Sequence, residues 1–177
     1  GRDVTVLEQG VAGGATSHGN CGTLTPSHAT PLAMPGMIGE ALAQVLRADA
    51  PFRIKPRFDP ALWVWMLQFA RRCNWRDFHR VNRIKAPLLM RSRRLIEALV
   101  REEGLDCEFE ALGTMYAFRD AAVFERAQWL PRALREVDVP IEVLDGAAAR
   151  AQEPALNDRI VGAHYNPADG HLRPDRY

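Results

Sequence analysis

Residues 3–24 read DVTVLEQGVAGGATSHGNCGTL, and this stretch decides the predicted fold. The β-branched run at 4–6 predicts a strand that delivers Glu8 into a loop rich in Gly, Ser, Thr and Asn. In dinucleotide-binding folds, an acid at a strand end accepts hydrogen bonds from ribose hydroxyls, and a glycine fingerprint precedes it by about 20 residues. No such fingerprint precedes Glu8 here. The stretch therefore predicts either a solvated turn or part of a nucleotide-binding domain whose first βα unit is missing.

The loop that follows Glu8 has the composition of a ligand cradle. Glycines in GGATSHGNCG allow close backbone approach and positive φ. Thr16, Ser17 and Asn20 add short side chains that can donate to pyrophosphate or flavin-edge oxygens. No Lys follows the glycines, so the loop is not a P-loop.

Composition narrows the class of protein. The chain has 177 residues, of which 47% are hydrophobic and 25% charged, with a formal net charge of +1. These values argue against disorder and against wholesale nucleic-acid binding. The three cysteines and five histidines show neither disulfide nor metal-ligand spacing, so we expect reduced thiols and no metal site.

Two helices are predicted in the middle of the chain. Pro60 suits a first helical turn that Asp59 caps, and aromatic residues recur at helical intervals behind it. A second helix is predicted from about Pro87 to Glu103, with Gly104 as its C′ residue.

Helices and strands alternate in the last third of the sequence, which predicts the α/β class. Pro131 should kink or split one of these helices. Asp145 is the predicted cap of another, which ends at 153–154. The expected elements are strands at 114–118, 141–144 and 159–166, helices at 121–137 and after Asp145, and a helix starting near Pro174.

Several segments resemble the FAD-dependent D-amino-acid dehydrogenases of the small-subunit type, within the D-amino-acid oxidase and glycine oxidase superfamily. They are VTVLEQ at 4–9, ATSHGNCGTLTPSHATPLAMPG at 15–36 and DGHLRP at 169–174. The resemblance runs through nearly the whole chain, and 16–36 is its most specific part. It implies FAD as cofactor and a partial Rossmann-like FAD-binding domain joined to a mixed-sheet substrate domain.

The resemblance also implies a division of the chain. Residues 1–40 would belong to the FAD-binding domain, 41–165 would form the substrate domain with a helical insert, and 166–177 would return toward the FAD-binding domain. Enzymes of this type have a GxGxxG segment before the first of these parts and further sequence after the last. We therefore expect an internal fragment, which on its own would bind FAD weakly and be inactive.

Site residues follow from the same resemblance. Glu8 would bind the adenosine ribose with Gln9 beside it, and Cys21 would replace a small residue without attaching flavin covalently. The catalytic residues are unknown from the sequence, and the carboxylate clamp is expected outside it. His28 and His171 are weak candidates, for which packing and turn roles are the alternatives. The residues expected along the pyrophosphate and isoalloxazine are Thr16, Ser17, Asn20, Cys21, Gly22 and Leu24.

The implied reaction is oxidation of a D-amino acid to a 2-oxo acid and ammonia, with electrons passing through FAD to a respiratory acceptor such as a quinone. Basic residues dominate 71–101, where only Asp77 and Glu97 oppose them. Together with the aromatic helix after Pro60, they suggest peripheral contact with the cytoplasmic side of a bacterial inner membrane; the alternative is that the aromatics are core. The competing functions are a glycine- or sarcosine-type oxidase that uses oxygen and a non-enzymatic membrane-surface module.

Overall fold

A computed structural model describes residues 3–39 and 58–177. The mixture of helices and strands confirms the α/β class, whereas the predicted boundary between 40 and 41 lies outside the described residues. In chain order, the elements are β1 Thr23–Leu24, a 3₁₀ helix Pro26–Ala29, α1 Pro60–Arg72, α2 Trp75–Glu103, β2 Thr114–Phe118, α3 Ala121–Arg126, α4 Trp129–Arg135, β3 Glu142–Asp145, α5 Gly146–Gln152, β4 Gly162–Asn166 and β5 Gly170–His171.

The central strand of the larger sheet is β4, which pairs antiparallel with β2 on one side and β3 on the other. Because side chains alternate along a strand, β4 presents Ala163 to one face and His164 to the other. Ala163 packs with Ala149 of α5. His164 faces Phe118 and Phe124. Both faces of β4 are thus covered. A second, two-stranded sheet pairs β1 with β5.

Helix α1 begins as predicted. The Asp59 side chain accepts a hydrogen bond from the Leu62 backbone N–H at 3.2 Å, and Pro60 occupies the first turn. No residue of α1 is fully buried, and Trp63 and Trp65 are 56% and 58% exposed. Trp63 and Trp65 therefore lie at the surface of the described residues, whereas Phe69 of the same helix is half-buried.

The predicted start of α2 is wrong. The helix begins at Trp75, where the Asn74 side chain accepts from the Asp77 N–H at 2.9 Å, and Pro87 lies in its interior. An interior proline removes one backbone hydrogen bond. Tertiary packing offsets that loss, because the neighbouring Ala86 is fully buried in the main core. The predicted end is confirmed, since Gly104 caps the helix at φ 63°.

Pro131 splits no helix. The break between α3 and α4 falls at 127–128, and Pro131 lies in the first turn of α4, where its missing N–H costs little. Asp145 caps α5 as predicted, accepting from the Ala148 N–H at 2.8 Å. The strand at 114–118 is confirmed. The strand predicted at 141–144 lies one residue later, and the one predicted at 159–166 begins only at Gly162.

Two predicted elements near the ends of the sequence are wrong. Residues 4–6 form no strand; Val4 and Val6 are 80% and 78% exposed, and no strand of the described residues lies beside them. Residues 174–175 form a turn, with an Arg176 N–H to Arg173 carbonyl bond of 3.1 Å, and no helix follows within 172–177.

The main core joins the 3₁₀ helix to α2 and α4. Asn82 of α2 adds a polar link, donating through Nδ2 to the Ala133 carbonyl at 2.8 Å. These contacts hold the 3₁₀ helix, and His28 within it, against the rest of the chain. The buried members of this core are Ala29, Ala86, Leu134, Val139 and Ile141.

A buried carboxylate ties the two sheets together. Asp169 is 0% exposed and accepts from the Ser27 N–H at 3.0 Å, the Ser27 hydroxyl at 2.6 Å and the Thr114 hydroxyl at 2.6 Å. These bonds join the 3₁₀ helix to β2 through the turn that precedes β5. A buried charge needs such partners to offset its desolvation.

The passage from the N-terminal loop into β1 depends on Gly22. Its φ is 63°, and a Cβ placed on it would collide with the Leu172 carbonyl oxygen. The Leu172 N–H also donates to the Gly22 carbonyl at 3.0 Å. The group that approaches Gly22 closely is therefore the backbone of this chain at Leu172.

We expect Asp169→Ala to lower the free energy of unfolding by about 3 kcal/mol, because it leaves buried donors on Ser27 and Thr114 without an acceptor. Urea denaturation measures the change. Asp106→Ala is the matched control: its carboxylate is exposed and lies 3.7 Å from Arg176, so the loss should stay below about 1 kcal/mol. Equal losses in the two variants would contradict the proposed role of Asp169.

Gly22→Ala should destabilise the protein clearly more than Gly104→Ala. Both glycines have φ 63°, but nothing lies within 4 Å of a Cβ at Gly104. Gly104→Ala therefore measures backbone strain alone, about 1 kcal/mol, and the remainder at Gly22 measures the collision with Leu172. Thermal unfolding of the two variants compares them, and similar melting temperatures would show that the Gly22 contact relaxes freely.

Candidate functional site

The predicted ribose-binding residues lie in an exposed segment. Residues 3–21 are all exposed, and Glu8 accepts a hydrogen bond from the Gly10 N–H at 3.0 Å. Gln9 follows it at the surface, while Thr16 and Ser17 lie in turns over 12–19. Carboxylate, hydroxyl and amide groups on an open glycine-containing loop are a donor and acceptor set that fits FAD.

The end of this loop is more tightly held. Asn20 accepts through Oδ1 from the Gly22 N–H at 2.7 Å, so its side chain shapes the turn into β1. Cys21 is exposed, and its thiol lies 3.3 Å from the Thr23 hydroxyl. Hydrogen bonding to Thr23 lowers the pKa of the Cys21 thiol. Cys21 is therefore a surface thiol with a polar partner, and its expected role as the replacement of a small residue stays a prediction. Leu24 is half-buried.

His28 is fixed on both sides of its ring. Its Nε2 lies 2.7 Å from the Tyr116 hydroxyl, and its Nδ1 lies 3.3 Å from the Thr25 hydroxyl. Lys85 of α2 donates to the His28 carbonyl at 3.0 Å. Burial raises the pKa of Tyr116, with the Asp169 charge as the second cause. The phenol therefore stays protonated at neutral pH.

A cavity of about 250 Å³ lies between the 3₁₀ helix, the face of β2 and β4 that carries His164, and the segment from α3 to α4. We call it the His28 cavity. Its walls combine aromatic and aliphatic side chains with a few polar groups, which is the usual make-up of a small-molecule site. The lining residues are Ser27, His28, Thr30, Tyr116, Phe118, Ala127, Trp129, Leu130, His164 and Asn166.

A second cavity of about 230 Å³ adjoins it, and His28 lines both. We call it the basic cavity, because Lys85 and Arg93 line it and no carboxylate does among residues 3–39 and 58–177. The Lys85 ammonium donates to the carbonyls of His28 and Thr30, which leaves its third proton for another acceptor. The remaining lining residues are Thr23, Leu24, Thr25, Pro26, Leu89 and Ser92.

Polar atoms in the His28 cavity are buried without protein partners. Asn166 is 1% exposed and His164 is 0% exposed. Neither Oδ1 nor Nδ2 of Asn166, nor Nδ1 of His164, has a hydrogen-bond partner among the described residues. Buried polar groups in folded proteins are nearly always bonded, so these unpaired atoms carry a cost in free energy. Each has less than 1 Å² of accessible surface and is therefore not presented to the interior of the cavity.

Burial lowers the pKa of His164 below its ordinary value of 6.5, and the nearby Arg135 charge adds to the effect. The ring centroids of Phe118 and Phe124 lie 5.0 and 5.6 Å from that of His164. The imidazole is therefore neutral at pH 7.

Sequence reasoning missed His164, Asn166 and Tyr116. The available signal was period-two alternation, which places His164 and Asn166 on one face of a predicted strand. His171, the other weak candidate, lies at the surface of β5 with its Nδ1 3.9 Å from a Glu110 carboxylate oxygen. It lines neither cavity.

His164 should make stability fall at acid pH. Its folded-state pKa is below its unfolded value, so the unfolded chain binds a proton that the native chain does not. The stabilising contribution is complete above about pH 6.5 and is lost as the pH falls below that value, with a limiting slope of about 1.4 kcal/mol per pH unit. Urea denaturation of His164→Gln from pH 7.5 to 5 should give a flatter profile than the wild type. His171→Gln, at an exposed site, should keep the wild-type slope; a parallel flattening would contradict the assignment.

Curated proteins that this chain is similar to include two D-amino acid dehydrogenases. D-amino acid dehydrogenase of Phenylobacterium zucineum is 35% identical over 173 residues, which cover 96% of this chain and 41% of the relative. D-amino acid dehydrogenase 2 of Pseudomonas aeruginosa is 37% identical over 174 residues, covering 94% and 40%. The chain thus spans about two fifths of the length of these relatives.

Among solved structures, the glycine oxidase of Geobacillus kaustophilus is 25% identical with a TM-score of 0.47, covering 51% of this chain and 26% of that one. The glycine oxidase of Bacillus cereus is 28% identical with a TM-score of 0.43, covering 50% and 27%. The sequence pattern of the family described as FAD dependent oxidoreductase, DAO, matches residues 1–177. Because that match spans the whole chain, this protein belongs to the DAO family of FAD-dependent oxidoreductases.

Proposed function

We propose that this chain is part of a flavoenzyme that oxidises D-amino acids to 2-oxo acids and ammonia and passes the electrons through FAD to a respiratory acceptor such as a quinone. The names of its curated relatives support the substrate class. The observation that carries the proposal is the position of the His28 cavity. Two of its lining residues, Ser27 and His28, follow the polar loop that fits FAD after only a few residues of sequence. In this proposal 1–40 and 166–177 serve the cofactor and 41–165 the substrate.

The loop before β1 would hold the cofactor. Glu8 would accept from the ribose hydroxyls with Gln9 beside it, and the donors that follow would contact the pyrophosphate and flavin edge. When bound, FAD supplies the acceptor for the hydride equivalent that leaves the substrate α-carbon. Those later contacts are assigned to Thr16, Ser17, Asn20, Cys21, Gly22 and Leu24.

The chain's own residues would bind and orient the substrate. The free proton of Lys85 makes the basic cavity suitable for the α-carboxylate, whereas the other cation there, Arg93, is already paired with Glu97 at 2.7 Å. His28 stands between the two cavities, and its bond to Tyr116 fixes the ring there. The His28 cavity would then receive the substrate side chain.

Helix α1 is proposed to touch the membrane surface. Trp63, Trp65 and Leu67 are each more than half exposed, and Arg71 and Arg72 follow them at the end of the same helix. Exposed aromatics beside basic residues fit an anionic leaflet, here the cytoplasmic face of a bacterial inner membrane. Within the described ranges, no helix is long and apolar enough to cross a bilayer.

The flavin itself reports the substrate class. The protein expressed from its full reading frame, loaded with FAD and kept anaerobic, should lose visible flavin absorbance on addition of D-alanine or D-proline. The L-enantiomers should leave the absorbance unchanged, because only one enantiomer presents its α-hydrogen to the flavin while the carboxylate is held. Bleaching by glycine or sarcosine with no response to D-amino acids would contradict the proposal. Rapid reoxidation by oxygen would replace the respiratory acceptor with an oxidase reaction.

A further inference from the structure

Several polar groups that line the His28 cavity are already bonded within the protein. The Ser27 hydroxyl donates to the Asp169 carboxylate at 2.6 Å. The two ring nitrogens of His28 lie 2.7 Å from the Tyr116 hydroxyl and 3.3 Å from the Thr25 hydroxyl. A polar ligand would have to compete with these bonds, so they offer it little net gain in free energy.

The polar atoms of the sheet are not presented to the cavity. Nδ1 of His164 and both amide atoms of Asn166 each have less than 1 Å² of accessible surface. Nε2 of His164 lies 3.5 Å from the Gln128 amide nitrogen. Thr30 carries the one lining hydroxyl that has no partner within residues 3–39 and 58–177, and it has a methyl group on the same carbon. Side-chain recognition of a polar ligand is therefore limited to a single hydroxyl.

The surface that remains accessible in the cavity is mainly carbon. Phe118, Ala127, Trp129 and Leu130 line it and are each only half-buried. No Lys, Arg, Asp or Glu of the described ranges lines it. An apolar group gains free energy on leaving water for such walls, whereas a polar group loses hydration and finds few partners. The cavity therefore favours an apolar occupant.

We propose that the His28 cavity selects D-amino acids whose side chain is apolar and of about leucine size, and that Ala127 sets the upper limit on that size. This inference rests on the proposed function, in which the α-carboxylate lies at Lys85 and the side chain enters this cavity. The cavity volume of about 250 Å³ is several times the ~30 Å³ that one water occupies in the liquid. A methyl group would leave most of that volume to water, whereas an isobutyl group would displace it.

Ala127 limits the space because it has the smallest side chain among the described residues that line the cavity. It follows the last residue of α3 with φ −78° and ψ −7°, a backbone conformation that larger residues also adopt. A larger side chain at this position would therefore occupy the cavity without straining the backbone.

The test compares three substrates in the FAD-loaded protein from the full reading frame. D-leucine and D-asparagine have side chains of nearly the same shape, and D-alanine has only a methyl group. Anaerobic flavin reduction should give kcat/KM for D-leucine at least about tenfold above the values for D-asparagine and D-alanine. An equal or higher value for either of these two substrates would overturn the inference.

Ala127→Leu should fill the cavity, so kcat/KM for D-leucine should fall at least about tenfold while that for D-alanine stays within about threefold. Ala122→Leu is the matched control, because it makes the same change at an exposed position of α3 that lines neither cavity. Thr30→Val removes the free hydroxyl and should keep the preference for D-leucine over D-asparagine. If the leucine variant at 127 does not fold, Ala127→Val makes the same test with a smaller side chain. A folded variant with the wild-type ratio of D-leucine to D-alanine would overturn the role of Ala127.

Ligand binding gives a readout that is independent of turnover. The probes are 4-methylpentanoate, which is leucine without its amino group, and succinamate, which has the same carboxylate and a carboxamide in place of the isopropyl group. The first should raise the thermal unfolding temperature of the wild type and of Ala122→Leu but not of Ala127→Leu, and succinamate should give a clearly smaller shift. A larger shift with succinamate would overturn the inference. Absence of flavin bleaching by every D-amino acid would instead overturn the proposed function, and the two probes would still decide whether the cavity takes an apolar group.

Discussion

The rest of the site depends on the buried Asp169 carboxylate. Its bonds to Ser27 and Thr114 hold the 3₁₀ helix against β2, and this placement forms the His28 cavity between them. A carboxylate removed from water must be matched by donors, and here three donors converge on it from two segments. The same charge helps to keep the Tyr116 phenol protonated. One interaction therefore contributes both to the shape of the cavity and to the protonation of Tyr116 in its wall.

His28 separates a cavity lined by basic side chains from a cavity whose other polar side chains are neutral. Lys85 and Arg93 lie on one side of His28, whereas the other side ends in neutral His164 and Asn166. In the proposed function, the α-carboxylate of an amino acid would lie on the side of Lys85 and the side chain on the neutral side. Burial supports the division, because the same desolvation that keeps His164 neutral would penalise any charged side chain placed against it.

Local signals predicted much of the secondary structure but little of the site. Asp59 and Asp145 cap their helices, and Gly104 ends α2, because caps are determined by neighbours in sequence. The predictions from Pro87 and Pro131 were wrong for two different reasons. Packing at Ala86 outweighs the cost of Pro87 inside α2, and Pro131 lies in the first turn of α4, where proline costs little. Composition was enough to predict a cofactor loop, which stays a prediction, whereas Tyr116, His164 and Asn166 come together only through strand register. The strand at 4–6 failed because propensity alone does not supply a partner.

The pairing of the two ends of the site has a consequence for folding. Ser27 and Asp169 are 142 residues apart, and β1 pairs with β5 over a similar separation. Contacts this distant in sequence require the closure of a long loop and form late. During synthesis, the 3₁₀ helix cannot form its bonds to Asp169 until the turn before β5 has been made. The cavity is therefore among the last features to assemble, and a nascent chain stalled before Asp169 would contain most of the helices but no His28 cavity.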